Sequence, residues 1–111
     1  MNSKKKGSRG ELEASKELKR VLGCEARRGQ QFSGSPDSPD IVCDIPVHFE
    51  VKRTETFNAY KAMEQAEGDC GENPPVVLHR KNNKPWLVVV KLDDLPRLAV
   101  AVYLQLQAKH S

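Results

Sequence analysis

The sequence predicts a mixed α/β (α+β) domain in which helices flank one central five-stranded sheet, in the order α-β-β-β-α-β-β-α. Three observations support this class: apolar stripes at helical spacing, short segments rich in β-branched and aromatic residues, and Pro/Gly positions that separate the two. A chain of 111 residues can build one small domain with one core. We expect residues 8–111 to form that domain and residues 1–7 to be a flexible basic arm.

The first helix is predicted from Ser8 to about Leu22, where Gly23 ends it. Its apolar stripe runs through Ala14, Leu18, Val21 and Leu22. Ser8 is suited to the N-cap, and Glu11 follows three residues later in the position of a capping box. Glu11 also lies on the apolar stripe, one turn before Ala14, which is unusual for a carboxylate in a purely structural helix. A capping role and a functional role for Glu11 both remain open.

Three strands are predicted before the middle helix. Residues 24–31 are typical of an edge strand, and a Ser/Gly/Pro-rich loop covers residues 30–37. The next two strands are centred on residues 38–42 and 47–52, with Pro39 and Pro46 marking where pairing begins and where the chain turns. If the chain reverses around Ile45, Asp40 becomes the cross-strand partner of Glu50, with Cβ atoms roughly 5 Å apart.

The second half of the chain predicts a helix, a hairpin and a closing helix. The helix runs from about Asn58 to Glu67 with Ala59, Ala62, Met63 and Ala66 facing inward and Gln65 at the border of that face. The hairpin joins residues 76–80 to residues 86–91. Its unbroken apolar runs predict strands buried on both faces. The closing helix begins at Leu92 or Leu95 and ends near Gln107.

Three ionisable side chains are expected on one face of the second and third strands. Side chains alternate along a strand, so Glu50 and Lys52 share a face with Asp40, while Phe49 and Val51 point into the core. Such a group beside a buried face is costly unless something binds it. Mg²⁺ is suited to the site because it prefers carboxylate, carbonyl and water oxygens, and the carbonyl of Val51 could add a ligand. On spacing alone, a strand cap and a solvated charged face remain the alternative.

Basic residues are spread over the chain, and the formal net charge is +3. Lys and Arg side chains contact nucleic-acid phosphates in a salt-sensitive manner, and loops beside a catalytic strand commonly carry substrate contacts. An RNA partner remains open, although the chain lacks the aromatic platform typical of single-strand RNA readers. The predicted DNA-contacting set is Lys4, Lys5, Lys6, Arg9, Arg27, Arg28, Gln30, Gln31, Arg53, Arg80, Lys81 and Lys84.

The cysteines and the hydropathy restrict the class of protein further. Cys24, Cys43 and Cys70 lack paired spacing, so free thiols are expected, and a zinc site with His48 or His79 has no support from spacing. The chain has no apolar run long enough to span a membrane and no signal-peptide pattern after its basic start. We therefore expect a cytoplasmic protein.

Four segments in this order resemble the PD-(D/E)xK nuclease superfamily, most closely the archaeal-type Holliday-junction resolvases and their small phage relatives. The matching segments are Lys6-Gly7 followed by Glu11, Pro39-Asp40-Ile41-Val42, Glu50-Val51-Lys52, and the helix with Tyr60 and Gln65. Residues 27–32 and 79–86 also resemble phage members. The chain departs from the pattern at Arg53, where an apolar residue is usual, and in its short C-terminus, which bears on the usual dimer surface.

The resemblance implies a restriction-endonuclease-like fold and a Mg²⁺-dependent endonuclease acting on branched DNA as a homodimer. Mn²⁺ would substitute for Mg²⁺, no organic cofactor would be needed, and a phage-encoded protein would act in the host cytoplasm. The implied metal ligands are Asp40, Glu50, the Val51 carbonyl and Glu11. Lys52 would orient the attacking water or stabilise the charge that develops on the phosphate, and Gln65 would hydrogen-bond the water network or the lysine. The rival interpretations are a nickase or restriction-like nuclease on unbranched DNA and a non-catalytic DNA-binding module of the same fold.

Overall fold

The computed structural model describes residues 3–29 and 40–109 of the protein. The predicted order of helices and strands is confirmed. The elements are α1 (Ser3–Leu22), β1 (Ala26–Arg28), β2 (Ile41–Cys43), β3 (His48–Arg53), α2 (Ala59–Asp69), β4 (Pro75–Arg80), β5 (Leu87–Val90), a 3₁₀ turn (Leu92–Asp94) and α3 (Leu95–Lys109).

The five strands form two sheets, so the prediction of one five-stranded sheet was wrong. β1 pairs antiparallel with β2, with Ala26 opposite Cys43 and Arg28 opposite Ile41. The larger sheet has the order β3-β4-β5. Within it, β3 and β4 are parallel and β4 and β5 are antiparallel. The predicted mixture of parallel and antiparallel pairs is therefore present in the three-stranded sheet.

The predicted hairpin around Ile45 was also wrong, because β2 takes β1 as its partner. Asp44 extends that pairing: its N–H donates to the carbonyl oxygen of Glu25 (3.2 Å), and its Oδ1 accepts from the N–H of Glu25 (3.2 Å). Pro46 follows, and it has no N–H to contribute to a ladder. The chain therefore bends away from β2 before β3 begins, and β3 pairs with β4 instead.

Helix α1 begins at Ser3, which corrects two predictions about its start. Residues 3–7 are helical and do not form an unstructured arm, and Ser8 lies inside the helix, where it cannot be the N-cap. Glu11 is consequently an interior residue of α1, and the capping box does not form. The helix ends as predicted: Gly23 has the left-handed φ of 67°, and its N–H donates to the carbonyl oxygen of Lys19 (2.9 Å).

The three helices pack on opposite faces of β3-β4-β5. Helices α1 and α3 cover the face with Phe49, Val76 and Leu78, and α2 covers the face with Val77. Of the four residues of α2 predicted to face inward, Ala62, Met63 and Ala66 are buried and Ala59 is half-buried. The first turn of α2 is capped by the Asn58 side chain, which accepts from the N–H of Lys61 (3.0 Å).

Two predictions of burial were wrong. Val21 is exposed although it belongs to the predicted stripe of α1, and β5 exposes Leu87 and Val88 because it is an edge strand covered on only part of its surface. Strand β4, the central strand, is buried throughout except at Arg80. Within the described part of the chain, no helix has both the length and the apolar character needed to cross a membrane.

Candidate active site

Asp40 is held at the free edge of β3 by two hydrogen bonds. Its carbonyl oxygen accepts from the N–H of Gly29 (2.8 Å), which continues the β1–β2 pairing by one residue. Its carboxylate Oδ2 accepts from the N–H of Val51 (2.8 Å). Asp40 therefore reaches β3 through its side chain, at the residue next to Glu50, without a backbone ladder between β2 and β3.

The same contact indicates where the Val51 carbonyl points. In a strand, the N–H and C=O of one residue face the same edge, and β4 occupies the opposite edge of β3. Because the Val51 N–H faces Asp40, its carbonyl oxygen faces that side as well. The carboxylate and carbonyl predicted as metal ligands thus lie along one sheet edge.

Glu50 is flanked on its own strand by His48 and Lys52. The three side chains share a face because they are two residues apart. Glu50 Oε1 lies 3.6 Å from His48 Nε2, and Glu50 Oε2 lies 3.9 Å from Lys52 Nζ. His48 is buried, and among the described atoms its Nε2 has no hydrogen-bond partner. Sequence reasoning did not place His48 in the site, although the alternation that joins Glu50 to Lys52 includes it.

Helix α1 brings Glu11 to the same region, because it packs directly on β3. A Cβ at Gly10 would lie 2.6 Å from Cβ of Arg53 and 3.8 Å from Cγ1 of Val51, so only glycine allows this approach. Glu11 is the next residue, and its Oε1 accepts from Nε of Arg28 (3.2 Å). The capping role is excluded, the ion pair with Arg28 gives Glu11 a structural partner, and the functional role of Glu11 stays a prediction.

The carboxylates influence one another electrostatically. Burial raises the pKa of Asp40 to about 6; the hydrogen bond from Val51 opposes this rise, and the negative charges of Glu50 and Glu11 add to it. Burial also raises the pKa of Glu11, against the opposing effect of Arg28, and Glu50 contributes to the increase. Neighbouring carboxylates with raised pKa values are typical of functional sites, and a bound cation would relieve their repulsion.

The residues present offer oxygen donors that suit a hard divalent cation such as Mg²⁺ or Mn²⁺. Among residues 9–29 and 40–108, no three His, Cys, Asp or Glu side chains converge as a ready-made metal cluster. Mg²⁺ does not require one, since it is commonly held by one or two carboxylates together with waters and substrate phosphate oxygens. Asp40, Glu50 and the Val51 carbonyl offer only hard oxygen donors, as this ion prefers.

Gln65 is less closely tied to the site. It is an exposed residue of α2, and among the described atoms no hydrogen bond connects it to Asp40, Glu50 or Lys52. Its catalytic role stays a prediction.

Two of the predicted DNA-contacting arginines are engaged within the protein. Glu13 Oε1 accepts from Nε of Arg53 (3.3 Å) and from NH1 of Arg80 (3.0 Å), and Asn82 Oδ1 accepts from NH2 of Arg53 (2.9 Å). These bonds join α1 to β3 and β4, so Arg53 has a structural reason to stand where related chains carry an apolar residue. Contact of Arg53 or Arg80 with DNA stays a prediction, and it would require these bonds to break.

The other predicted DNA-contacting residues fall into two groups. Arg9, Arg27, Lys81 and Lys84 are exposed, and the Arg28 guanidinium is half exposed beside Glu11. The side chains of Lys4, Lys5 and Lys6 and the whole of Gln30 and Gln31 lie outside what the structure describes.

The cysteines and His79 have other environments. The three cysteines are free, as predicted, and burial raises the pKa of the Cys24 thiol to about 11. His79 stacks on Phe57 with ring centroids 3.9 Å apart, and its Nε2 lies 3.1 Å from the carbonyl oxygen of Thr54. These contacts give His79 a structural role beside the strand that carries Lys52.

Comparison with known families gives one match, which covers almost the whole chain. Residues 2–110 match the family described as phage putative PDDEXK endonuclease. No curated protein and no solved structure matches the chain significantly.

Proposed function

Because the chain belongs to the PDDEXK endonuclease family of phages, we propose that it hydrolyses phosphodiester bonds in branched DNA with Mg²⁺, as a homodimer of the Holliday-junction resolvase type. The observation that carries the proposal is the bond from the Val51 N–H to Asp40 Oδ2 (2.8 Å). It joins the two sheets, and it brings the Asp40 carboxylate to the backbone of Val51, which directly precedes Lys52 in the chain. The Asp40 carboxylate and the Val51 carbonyl supply hard oxygen donors. Branched-DNA preference and the dimer rest on the resemblance to resolvases.

The carboxylates would hold the metal. Asp40 and Glu50 would bind it together with the Val51 carbonyl, and Glu11 would contribute directly or through water. The bound cation would polarise a phosphate oxygen and lower the pKa of a coordinated water. Glu11 already has a cationic partner in Arg28 (3.2 Å), so arrival of a metal or of a phosphate would free that guanidinium. Arg28 is then suited to contact the phosphate beside the scissile bond.

Lys52 would act on the attacking water or on the charge that develops on the phosphate. Its Nζ lies 3.9 Å from Glu50 Oε2, which keeps the ammonium beside this proposed metal ligand. A compact ammonium on a flexible stem can follow a water molecule, whereas the planar guanidinium of arginine has a different reach and geometry. Gln65 would assist by hydrogen-bonding the lysine or the water.

DNA would be held outside the site by exposed cations. Arg9, Arg27, Lys81 and Lys84 supply positive charge that no carboxylate of the described residues neutralises by a direct ion pair. Lys4, Lys5 and Lys6, with Gln30 and Gln31, are proposed as further contacts. Affinity for any DNA should therefore fall steeply with salt.

The test compares four-way junction, Y-shaped and linear duplex DNA, each with Mg²⁺, Mn²⁺ or EDTA. The wild-type protein should introduce paired, symmetric nicks into the junction with either metal and should be inactive in EDTA. Glu50→Gln should lower the rate more than about 100-fold, since even residues that only support a metal ligand cost 10- to 100-fold when removed.

The controls separate the rival functions. Equal cleavage of all three substrates would replace the resolvase by a nickase or restriction-like nuclease. Binding without cleavage would leave a DNA-binding module. A readout independent of activity is the melting temperature with and without Mg²⁺: the ion should stabilise the wild-type fold and should not stabilise Glu50→Gln.

A further inference from the structure

Helix α3 is mainly apolar, on its exposed side as well as on its packed side, and only one side is covered. Its 15 residues include no Asp or Glu, and Arg97 is the only charged residue before Lys109 at its end. Leu98, Ala101 and Val102 face the core or the cavity beside it. A helix that faces water normally carries polar residues on its exposed side, whereas α3 exposes mainly apolar ones. The sequence of α3 therefore predicts that a second surface packs against its exposed side.

That outer side carries a continuous apolar stripe. Pro96, Val100, Tyr103 and Leu104 recur at intervals of four, three and one residues, which places them together on one helix face, and the uncharged Gln107 continues that face at its C-terminal end. Val100 is 57% exposed, and Tyr103 and Leu104 are each 60% exposed. We call these four residues the outer stripe. Leu95 and Leu106, both exposed, border it.

The size of this surface suits a protein interface. Single exposed apolar residues are normal, but a contiguous patch of several hundred Å² on a small protein marks an interaction site. A stable interface buries about 800 Å² on each partner. The outer stripe with its two bordering leucines supplies six exposed apolar side chains, and a helix of this length, roughly 22 Å, can pair along its whole axis.

The charge of the stripe decides between possible occupants. A nucleic-acid or lipid surface would call for Lys or Arg along the stripe. Its nearest cation, Arg97, is engaged elsewhere: its NH2 donates to the carbonyl oxygen of Glu72, and its NH1 lies 3.8 Å from Asp94 Oδ1. A neutral apolar stripe is complementary to a copy of itself, because pairing two such stripes buries no unpaired charge.

We propose that a second copy of this chain covers the outer stripe, so that the two α3 helices pack antiparallel about a two-fold axis. The inference deepens the proposed function, because paired nicks in a junction require two active sites, and it rests on that function for its purpose. It assigns the dimer surface to a helix on the face of the sheet opposite α2. Asp40 and Glu50 take no part in it.

The test is sedimentation equilibrium of the full-length chain over a range of concentrations. Wild type should be a dimer. The double variant Val100→Lys/Leu104→Lys should weaken the dimer at least about 100-fold, because two ammonium groups per copy would be buried without partners. The matched control is Leu87→Lys, which changes a comparably exposed leucine (55%) on the edge strand β5, on the face of the sheet away from α3, and should leave the dimer intact.

Circular dichroism must confirm that the double variant is folded; if it is not, the single variant Tyr103→Glu decides by the same measurement. A wild-type monomer at every concentration, or a dimer that survives substitution of the stripe, would overturn the assignment. Cleavage assays keep the two proposals apart. A dimer that cuts DNA and survives substitution of the outer stripe ends the inference alone, and a dimer that cuts no DNA ends the proposed function alone. A monomer that cuts DNA ends the inference and the homodimer of the proposed function, and leaves the nuclease.

Discussion

The two faces of the sheet β3-β4-β5 are built from different kinds of side chain. The face under α1 and α3 buries Phe49, Val76 and Leu78, all apolar. The face under α2 includes the row His48, Glu50 and Lys52 on β3. Because successive side chains of β3 point to opposite faces, neighbouring residues of this strand belong to the core and to the candidate site in turn. Substitutions of the buried apolar residues on either face should act on stability, and substitutions in the row His48, Glu50 and Lys52 should act on catalysis.

The largest expected effect on stability belongs to Phe49, which is 2% exposed. Phe49→Ala should lower the free energy of unfolding by about 3–5 kcal/mol, because it leaves a cavity between β3 and the helices above it. Urea denaturation measures this change. The neighbouring variant Glu50→Gln should retain full stability while losing cleavage. Equal destabilisation by both variants would contradict the division between the faces.

The close contact of α1 with β3 should make Gly10 nearly as sensitive. Gly10→Ala places a Cβ 2.6 Å from Cβ of Arg53, which forces α1 away from β3 and should cost about 1–3 kcal/mol. Gly68→Ala is the matched control in α2, since a Cβ there meets no atom within 4 Å. It should stabilise the protein by about 0.5–1 kcal/mol through higher helix propensity. Thermal unfolding of both variants would show opposite shifts.

A substitution of His48 tests whether this residue serves the site together with Glu50 and Lys52. Its Nε2 lies 3.6 Å from Glu50 Oε1, so His48 is positioned to orient that carboxylate when a cation binds to it. His48→Ala should lower activity about 10- to 100-fold and raise the Mg²⁺ concentration needed for half-maximal rate. His48→Gln, which keeps a nitrogen donor, should recover part of both. Loss of stability with an unchanged Mg²⁺ requirement would make His48 a core residue only.

Asp40 should couple the site to pH in the metal-free protein. Its folded pKa of about 6 lies above the ordinary 3.8, so the native state retains a proton that the unfolded chain releases. Stability is therefore lost as the pH rises between these values, and the full loss is present above about pH 6. Asp40→Asn, which stays neutral and can still accept from the Val51 N–H, should be more stable than wild type at pH 7.5 in EDTA.

The expected gain is about 1–2 kcal/mol, less than the full pKa shift would give because Asp40 is partly exposed to solvent. Denaturation midpoints at pH 4 and pH 7.5 measure it. The advantage of Asp40→Asn should disappear at pH 4. A variant that is no more stable than wild type at pH 7.5 would show that the carboxylates do not strain the free site.

The sequence predicts the residues of the site better than it predicts their pairing. Alternation places Glu50 and Lys52 on one face whatever strand lies beside them. The pairing partner of β2 is harder to predict, because the backbone groups of β2 could bond equally to a following strand in a hairpin or to β1. In the structure, Asp44 bonds to Glu25 and so extends the pairing with β1. These residues are nineteen positions apart, so no local sequence pattern contains the contact.

Helix boundaries and burial show the same limit. Ser8 and Glu11 have the spacing of a capping box, but the helix extends five residues further toward the N-terminus and makes both interior. The apolar run of β5 indicates a strand, and its position at the sheet edge is what leaves Leu87 and Val88 exposed. Residue type predicts the element, whereas exposure depends on which neighbours the whole fold provides.

The smallest expected effects distinguish structural cations from substrate-contacting ones. Arg80 donates to Glu13 (3.0 Å), so Arg80→Gln should cost about 1 kcal/mol of stability and leave the salt dependence of DNA binding unchanged. Lys81 is exposed at the β4–β5 turn, so Lys81→Gln should leave stability unchanged and lower the salt slope by about one unit. Fluorescence anisotropy of labelled junction DNA at several salt concentrations, paired with denaturation curves, measures both quantities. If Arg80→Gln reduced the slope and Lys81→Gln did not, DNA would have to displace Glu13 on binding, and the arginines would belong to the binding surface after all.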